Sequence, residues 1–140
     1  MWMIDKEIKK KYENHHLFKN CISISFPKGW NAVVEEIVQF LEYSNRRIDF
    51  KILVTQIKTK FGLMVVYLEP ELSESGDAKS YEQFSQIAQK VDEIANKSFR
   101  MCKICGKNLV KTVVDSKITV RCLEHFDVNQ GDKNLRSIRL

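Results

Sequence analysis

The chain has 140 residues, 44% of them hydrophobic and 29% charged, with a formal net charge of +5. This is the composition of one globular domain with room for a small appendage, and no apolar run approaches the ~18–20 residues that cross a bilayer. The start, from Met1 to Lys6, turns charged at once and lacks the apolar stretch of a signal peptide; the cytoplasm is therefore the expected location.

Taken in chain order, residues 3–18 carry Ile4, Ile8, Tyr12 and the Leu17–Phe18 pair at helical spacing among Lys and Glu, which predicts a first helix. Residues 22–26 alternate strictly and predict a short strand, ended by Pro27 and Gly29. A second helix is expected over 30–45. Val33, Val34, Ile37, Phe40 and Leu41 share one face there, while Glu35 and Glu36 point the other way near the N-terminal end. Residues 48–58 and 63–68 read as a hairpin, rich in β-branched and aromatic residues, with Gly62 supplying the tight turn. Both strands are apolar on two faces, so helices should cover at least one of them.

Residues 69–79 form an acidic stretch read as a loop, and Glu69 and Glu71 are read as solvated charge. Ser80 and Gln83 have the spacing of a capping box at the head of a third helix, 80–98. Its stripe of Tyr81, Phe84, Ile87, Ala88, Val91, Ile94 and Ala95 is wide, which argues for core packing. The division expected is a core of residues 1–100, a metal-bearing unit at 101–126 and a loose polar tail at 127–140. The predicted fold class is α+β: a small antiparallel sheet packed by about three helices, followed by a zinc-knuckle subdomain.

The metal expectation rests on spacing. Cys102 and Cys105 stand two apart, sixteen residues intervene, and Cys122 and His125 stand two apart. Two ligands at that distance fit one tight turn, and Gly106 lets the chain bend away behind them. Two short strands, Leu109 to Val114 and Ile118 to Val120, would carry the second pair back to the first. Three sulfurs and one nitrogen in a tetrahedron suit zinc. A redox Cys-x-x-Cys pair would leave Cys122 and His125 unexplained. Four protein ligands close the shell, whereas catalytic zinc keeps one position for water, so the expected role is to fold a segment too small to build its own core. The zinc-deaminase pattern is missing, since Met101, not Pro, precedes Cys102.

No other pattern predicts chemistry. Cys21 sits alone and reads as a small buried apolar residue. His15 and His16 diverge by about 100° on a helix and read as a solvated helix end. The five glycines are scattered and form no phosphate loop, and no serine occupies a nucleophile elbow. An enzyme is not expected.

The charge is uneven. Residues 61–100 carry seven acids against four bases, and residues 101–140 carry eight bases against four acids. Lys103, Lys107, Lys111, Lys117 and Arg121 are thus candidate nucleic-acid contacts. At the hairpin tip Lys58 and Lys60 share a face beside Phe61. They could hold a phosphate backbone or an acidic protein, but the default expectation is that Phe61 folds back into the core and the lysines are solvated.

The run Gly29-Trp30, then Val33-Val34, then Gln56-Ile57-Lys58-x-Lys60-Phe61-Gly62, then Val66-Tyr67, then the cysteine–histidine set, resembles a group of small uncharacterised proteins from bacteria and their phages. The likeness covers about residues 29–125. Leu63-Met64-Val65 depart from the Gly-Leu-Arg-Phe usual in the group, and the chain extends N-terminally of residue 29. The resemblance implies one fold, one zinc and a bacterial or phage setting, and no mechanism. The expected function is a non-enzymatic interaction protein, such as an immunity or inhibitor protein, with another protein as partner and no membrane. The alternative is nucleic-acid binding through the basic zinc unit. Oligomeric state is not legible.

Overall fold

The computed structural model describes residues 10–72, 76–107, 110–114, 117–121 and 136–139. They form an α+β fold. One sheet has strands β1 (Ser23–Ile24), β2 (Lys51–Lys60) and β3 (Leu63–Glu71) in the order β1-β2-β3, with β1 parallel to β2 and β2 antiparallel to β3. Two helices, α1 (Asn31–Asn45) and α2 (Ala78–Ala95), accompany it, and residues 10–12 form a further helical turn. A second sheet holds β4 (Val110–Val114), β5 (Lys117–Arg121) and β6 (Arg136–Arg139), with β4 in the middle. Among the described residues no helix is long and apolar enough to cross a membrane.

Helix α1 forms where the apolar spacing predicts it. A 3-10 turn at Lys28–Trp30 leads in, and Val33, Val34, Ile37, Val38 and Leu41 are buried. Its last residue, Asn45, is buried at 3% exposure because its side chain takes up both backbone groups of Ile52. Nδ2 donates to the Ile52 carbonyl at 3.1 Å, and Oδ1 accepts from the Ile52 amide at 2.9 Å. One amide thus fixes the corner between α1 and β2.

In the hairpin, Ile52, Val54, Ile57, Met64 and Val66 face the core with Leu17, Trp30, Ile37, Leu41 and Val91. Each such side chain adds about 1.5–3 kcal/mol of burial. A bulge between Val54 and Gln56 keeps Ile57 on that face. The opposite face carries Gln56, Lys58 and Lys60 on β2, with Tyr67, Val65 and Leu63 as their register partners on β3.

Several local expectations change. The first helical stretch ends before residue 13, and a 3-10 turn at His16–Phe18 replaces its C-terminal part. The reason is the side chain of His15, whose Nδ1 accepts from the Leu17 amide and caps the new turn. Residues 1–9 lie outside the described residues. The strand expected over 22–26 contracts to Ser23–Ile24. The stretch read as a loop from residue 69 begins inside β3, which runs to Glu71. Asp77, not Ser80, caps α2: its carboxylate accepts from the Ser80 amide at 2.8 Å. The apolar stripe of α2 is fully buried only at Val91, Ile94 and Ala95. Phe84 and Ile87 are half-buried, and Tyr81 is exposed. In the expected tail, Arg136–Arg139 form β6 against β4.

Candidate functional site

The 3-10 turn at Asn96–Arg100 delivers the chain to Cys102. Residues 103–105 turn back, closed by two backbone hydrogen bonds. The Gly106 amide donates to the Cys102 carbonyl at 2.8 Å, and the Cys102 amide donates to the Lys107 carbonyl at 2.7 Å. Gly106 takes φ of +80°, a left-handed value that glycine adopts without strain. Inside this turn the Ile104 amide donates to Cys102 Sγ at 3.4 Å. Cys102 is fully buried and Cys105 is exposed, so the turn has one sulfur rooted in the protein and one at the surface.

The turn is docked on the residues that open α1. The Gly29 amide donates to the Lys103 carbonyl at 2.8 Å, and Trp30 Nε1 donates to the Met101 carbonyl at 3.0 Å. Trp30 is 1% exposed. The approach is backbone on backbone: a Cβ on Gly29 would lie 2.2 Å from the Cys102 carbonyl oxygen and 2.8 Å from the Gly106 nitrogen. A Cβ on Gly106 would in turn lie 2.7 Å from the Gly29 carbonyl oxygen. The Gly29–Trp30 pair is therefore a platform for the cysteine turn, a role its sequence alone did not disclose. A glycine directly before a tryptophan was the one available signal.

Cys122 and His125, the other expected ligands, lie outside the described residues. Strands β4 and β5 pair from Val114↔Lys117 to Val110↔Arg121. The chain therefore leaves β5 at the end of the hairpin where it entered β4. Among the described residues no group of three or more His, Cys, Asp or Glu could hold a metal ion.

Lys103 is half-buried and Lys107 is exposed in the cysteine turn. In β4 and β5, Lys111 pairs with Val120, while Lys117 and Arg121 hold register positions of the other parity. The two-residue alternation of strands divides these three positions between the two faces of that sheet. At the hairpin tip, Phe61 does not fold back into the core. It is 74% exposed, with φ of +54°, and Lys60 Nζ lies 5.7 Å from its ring centre. The register explains this: Lys60 pairs with Leu63, which leaves Phe61 and Gly62 as a two-residue turn at the end of the hairpin. Lys58 Nζ stands 5.2 Å from the centre of the Tyr67 ring, which is 38% exposed.

His15 is half-buried, not a solvated helix end. With Nδ1 accepting from Leu17, the ring proton sits on Nε2, which donates to Glu42 Oε1 at 3.2 Å. Both ring nitrogens are thus engaged by protein groups. His15 lines a shallow cleft with Tyr12, Glu35 and Glu42, where burial raises the Tyr12 pKa and a hydrogen bond from Lys11 to Glu35 raises that of Lys11. Cys21 is half-buried, and burial raises its thiol pKa. A thiol held protonated is a poor nucleophile.

No protein-family model matches the chain, and comparisons with curated proteins and with solved structures return no match.

Proposed function

We propose that the protein is a non-enzymatic interaction module whose C-terminal unit is folded by one structural zinc ion, held by Cys102, Cys105, Cys122 and His125. The observation that carries this reading is the docked cysteine turn, with an amide aimed at Cys102 Sγ and its backbone pressed against Gly29. A turn docked this firmly suits a site that holds chain segments together. Four protein ligands would leave no open position for a substrate or an activated water. The module works through its surfaces on another macromolecule, in the manner of an immunity or inhibitor protein in a bacterial or phage setting. A reducing cytoplasm would keep the thiols available for metal.

The test is the metal content of the purified protein beside a Cys102→Ser, Cys105→Ser double variant, with thermal melts of both. One zinc per chain, and a variant that loses it and melts well below the parent, is the expected result. A metal-free parent, or a variant that stays as stable as the parent, overturns the reading and returns the two cysteines to redox chemistry.

A further inference from the structure

The outer face of the β2–β3 hairpin combines features that stability does not account for. A two-residue turn with both central residues at positive φ favours Asn or Asp followed by Gly. Here the first of these positions holds Phe61, with φ of +54°, and Gly62 follows with φ of +74°. A bulky residue in left-handed backbone is a genuine outlier. The same ring is 74% exposed. Neither its conformation nor its surroundings reward a phenylalanine, and strained positions of this kind concentrate at binding surfaces.

Its neighbours give the chemistry. From Gln56 to Tyr67 the chain carries two lysines, Lys58 and Lys60, and no acid. By register, Tyr67, Lys58 and Lys60 follow one another toward the turn on the same face. Each step is two residues, about 7 Å along the strand. Across the sheet the Gln56 amide donates to the Ser23 hydroxyl at 3.0 Å, which adds polar groups beside Tyr67. Each ring has a lysine ammonium near it, Lys58 at Tyr67 and Lys60 at Phe61. Protein-binding patches are depleted in lysine at their centres and enriched in arginine. Rings alternating with lysines on an open sheet instead match a strand of unpaired bases, in which rings stack on bases and ammonium groups meet phosphates.

We propose that this face, built from Tyr67, Lys58, Lys60 and Phe61, binds single-stranded nucleic acid by stacking bases on the two rings. The proposal names a partner for the interaction module, so it rests on that reading. Its failure would be separable, because the metal-content test of that reading uses no residue of the hairpin tip.

The test is fluorescence anisotropy of a labelled oligothymidylate of about twelve nucleotides, with the full chain in its metal-loaded form. The expected result is saturable binding that a duplex of the same length competes for poorly. Phe61→Asn and Tyr67→Ser should each weaken it about tenfold. Lys58→Gln with Lys60→Gln should lower the slope of log affinity against log salt by about 1.4. Phe61→Asn is the decisive variant, because it places the favoured residue in the turn and should melt no lower than the parent while losing binding. The proposal is overturned by an absence of binding or by equal binding of duplex. It is also overturned if these variants leave binding intact while Lys107→Glu abolishes it, or if an acidic protein docks on this face and the oligonucleotide does not.

Discussion

The cysteine turn and the hairpin turn both use left-handed backbone, and their surroundings are opposite. At Gly106 the backbone meets Gly29 so closely that a Cβ on either residue would strike main-chain atoms. At Phe61 the backbone is equally left-handed, but the side chain points into solvent. In the buried turn, packing dictates the residue, and glycine is the only one that fits. At Phe61 the exposed side chain meets no such constraint, so a residue that raises the energy of the fold reports on another requirement. Strain carries functional information where the surroundings do not impose it.

The largest effect that could break this contrast belongs to Gly29→Ala. Its Cβ would lie 2.2 Å from one backbone atom and 2.6 Å from another, and neither can rotate away. A loss of about 4 kcal/mol is expected in equilibrium denaturation, with zinc content falling in step. A variant as stable as the parent would show that the platform is not rigid. Gly106→Ala should cost about 2–3 kcal/mol, from left-handed strain and from the 2.7 Å approach to the Gly29 oxygen. Gly62→Ala samples the left-handed penalty at the hairpin turn, and should cost about 1 kcal/mol in the same denaturation series. If the two glycine variants cost the same, the buried contact contributes nothing beyond φ. Phe61→Asn should reverse the sign and stabilise the fold by about 0.5–1 kcal/mol, read from the denaturation midpoint.

The smallest effect lies outside both turns. The Ser80 amide hydrogen bond to Asp77 holds its carboxyl below its ordinary pKa. The folded chain therefore favours the charged form. The stability this cap adds is complete above the ordinary aspartate pKa and is lost as pH falls through the lowered value. Helical circular dichroism of the parent should decline over that acid range, and Asp77→Asn should flatten the decline. An identical acid profile for the two proteins would remove Asp77 from the account of α2.

Much of the core was legible in the sequence. Val33, Val34, Ile37 and Leu41 declare α1 by spacing, and the hairpin follows from β-branched runs around Gly62. Local competition obscured other boundaries. His15 lies in a helical pattern, but its ring caps the next turn, and the pattern cannot register a side chain that takes a backbone amide. Asp77 and Ser80 are both good caps, and an apolar stripe that begins after them does not choose between them. The Phe61 expectation failed because hydrophobicity was weighed without register. Strand β6 gave no apolar signal, since Arg136–Arg139 joins its sheet through backbone pairing with β4. In the candidate site, the Cys102–Cys105 spacing was readable, whereas its platform was not. Spacing reports neighbours along the chain, and Gly29 meets Lys103 only through the fold.

The hydrogen bond from Trp30 to Met101 spans 71 positions. At a synthesis rate of about 5–20 residues per second, the indole waits roughly 4–14 seconds on the ribosome before its acceptor exists. Throughout that interval an apolar ring destined to be 1% exposed has nothing of its final shelter on one side. Nascent chains of this protein therefore carry the Trp30 ring before part of its final shelter exists, and a chaperone that shields the start of α1 would act during that interval.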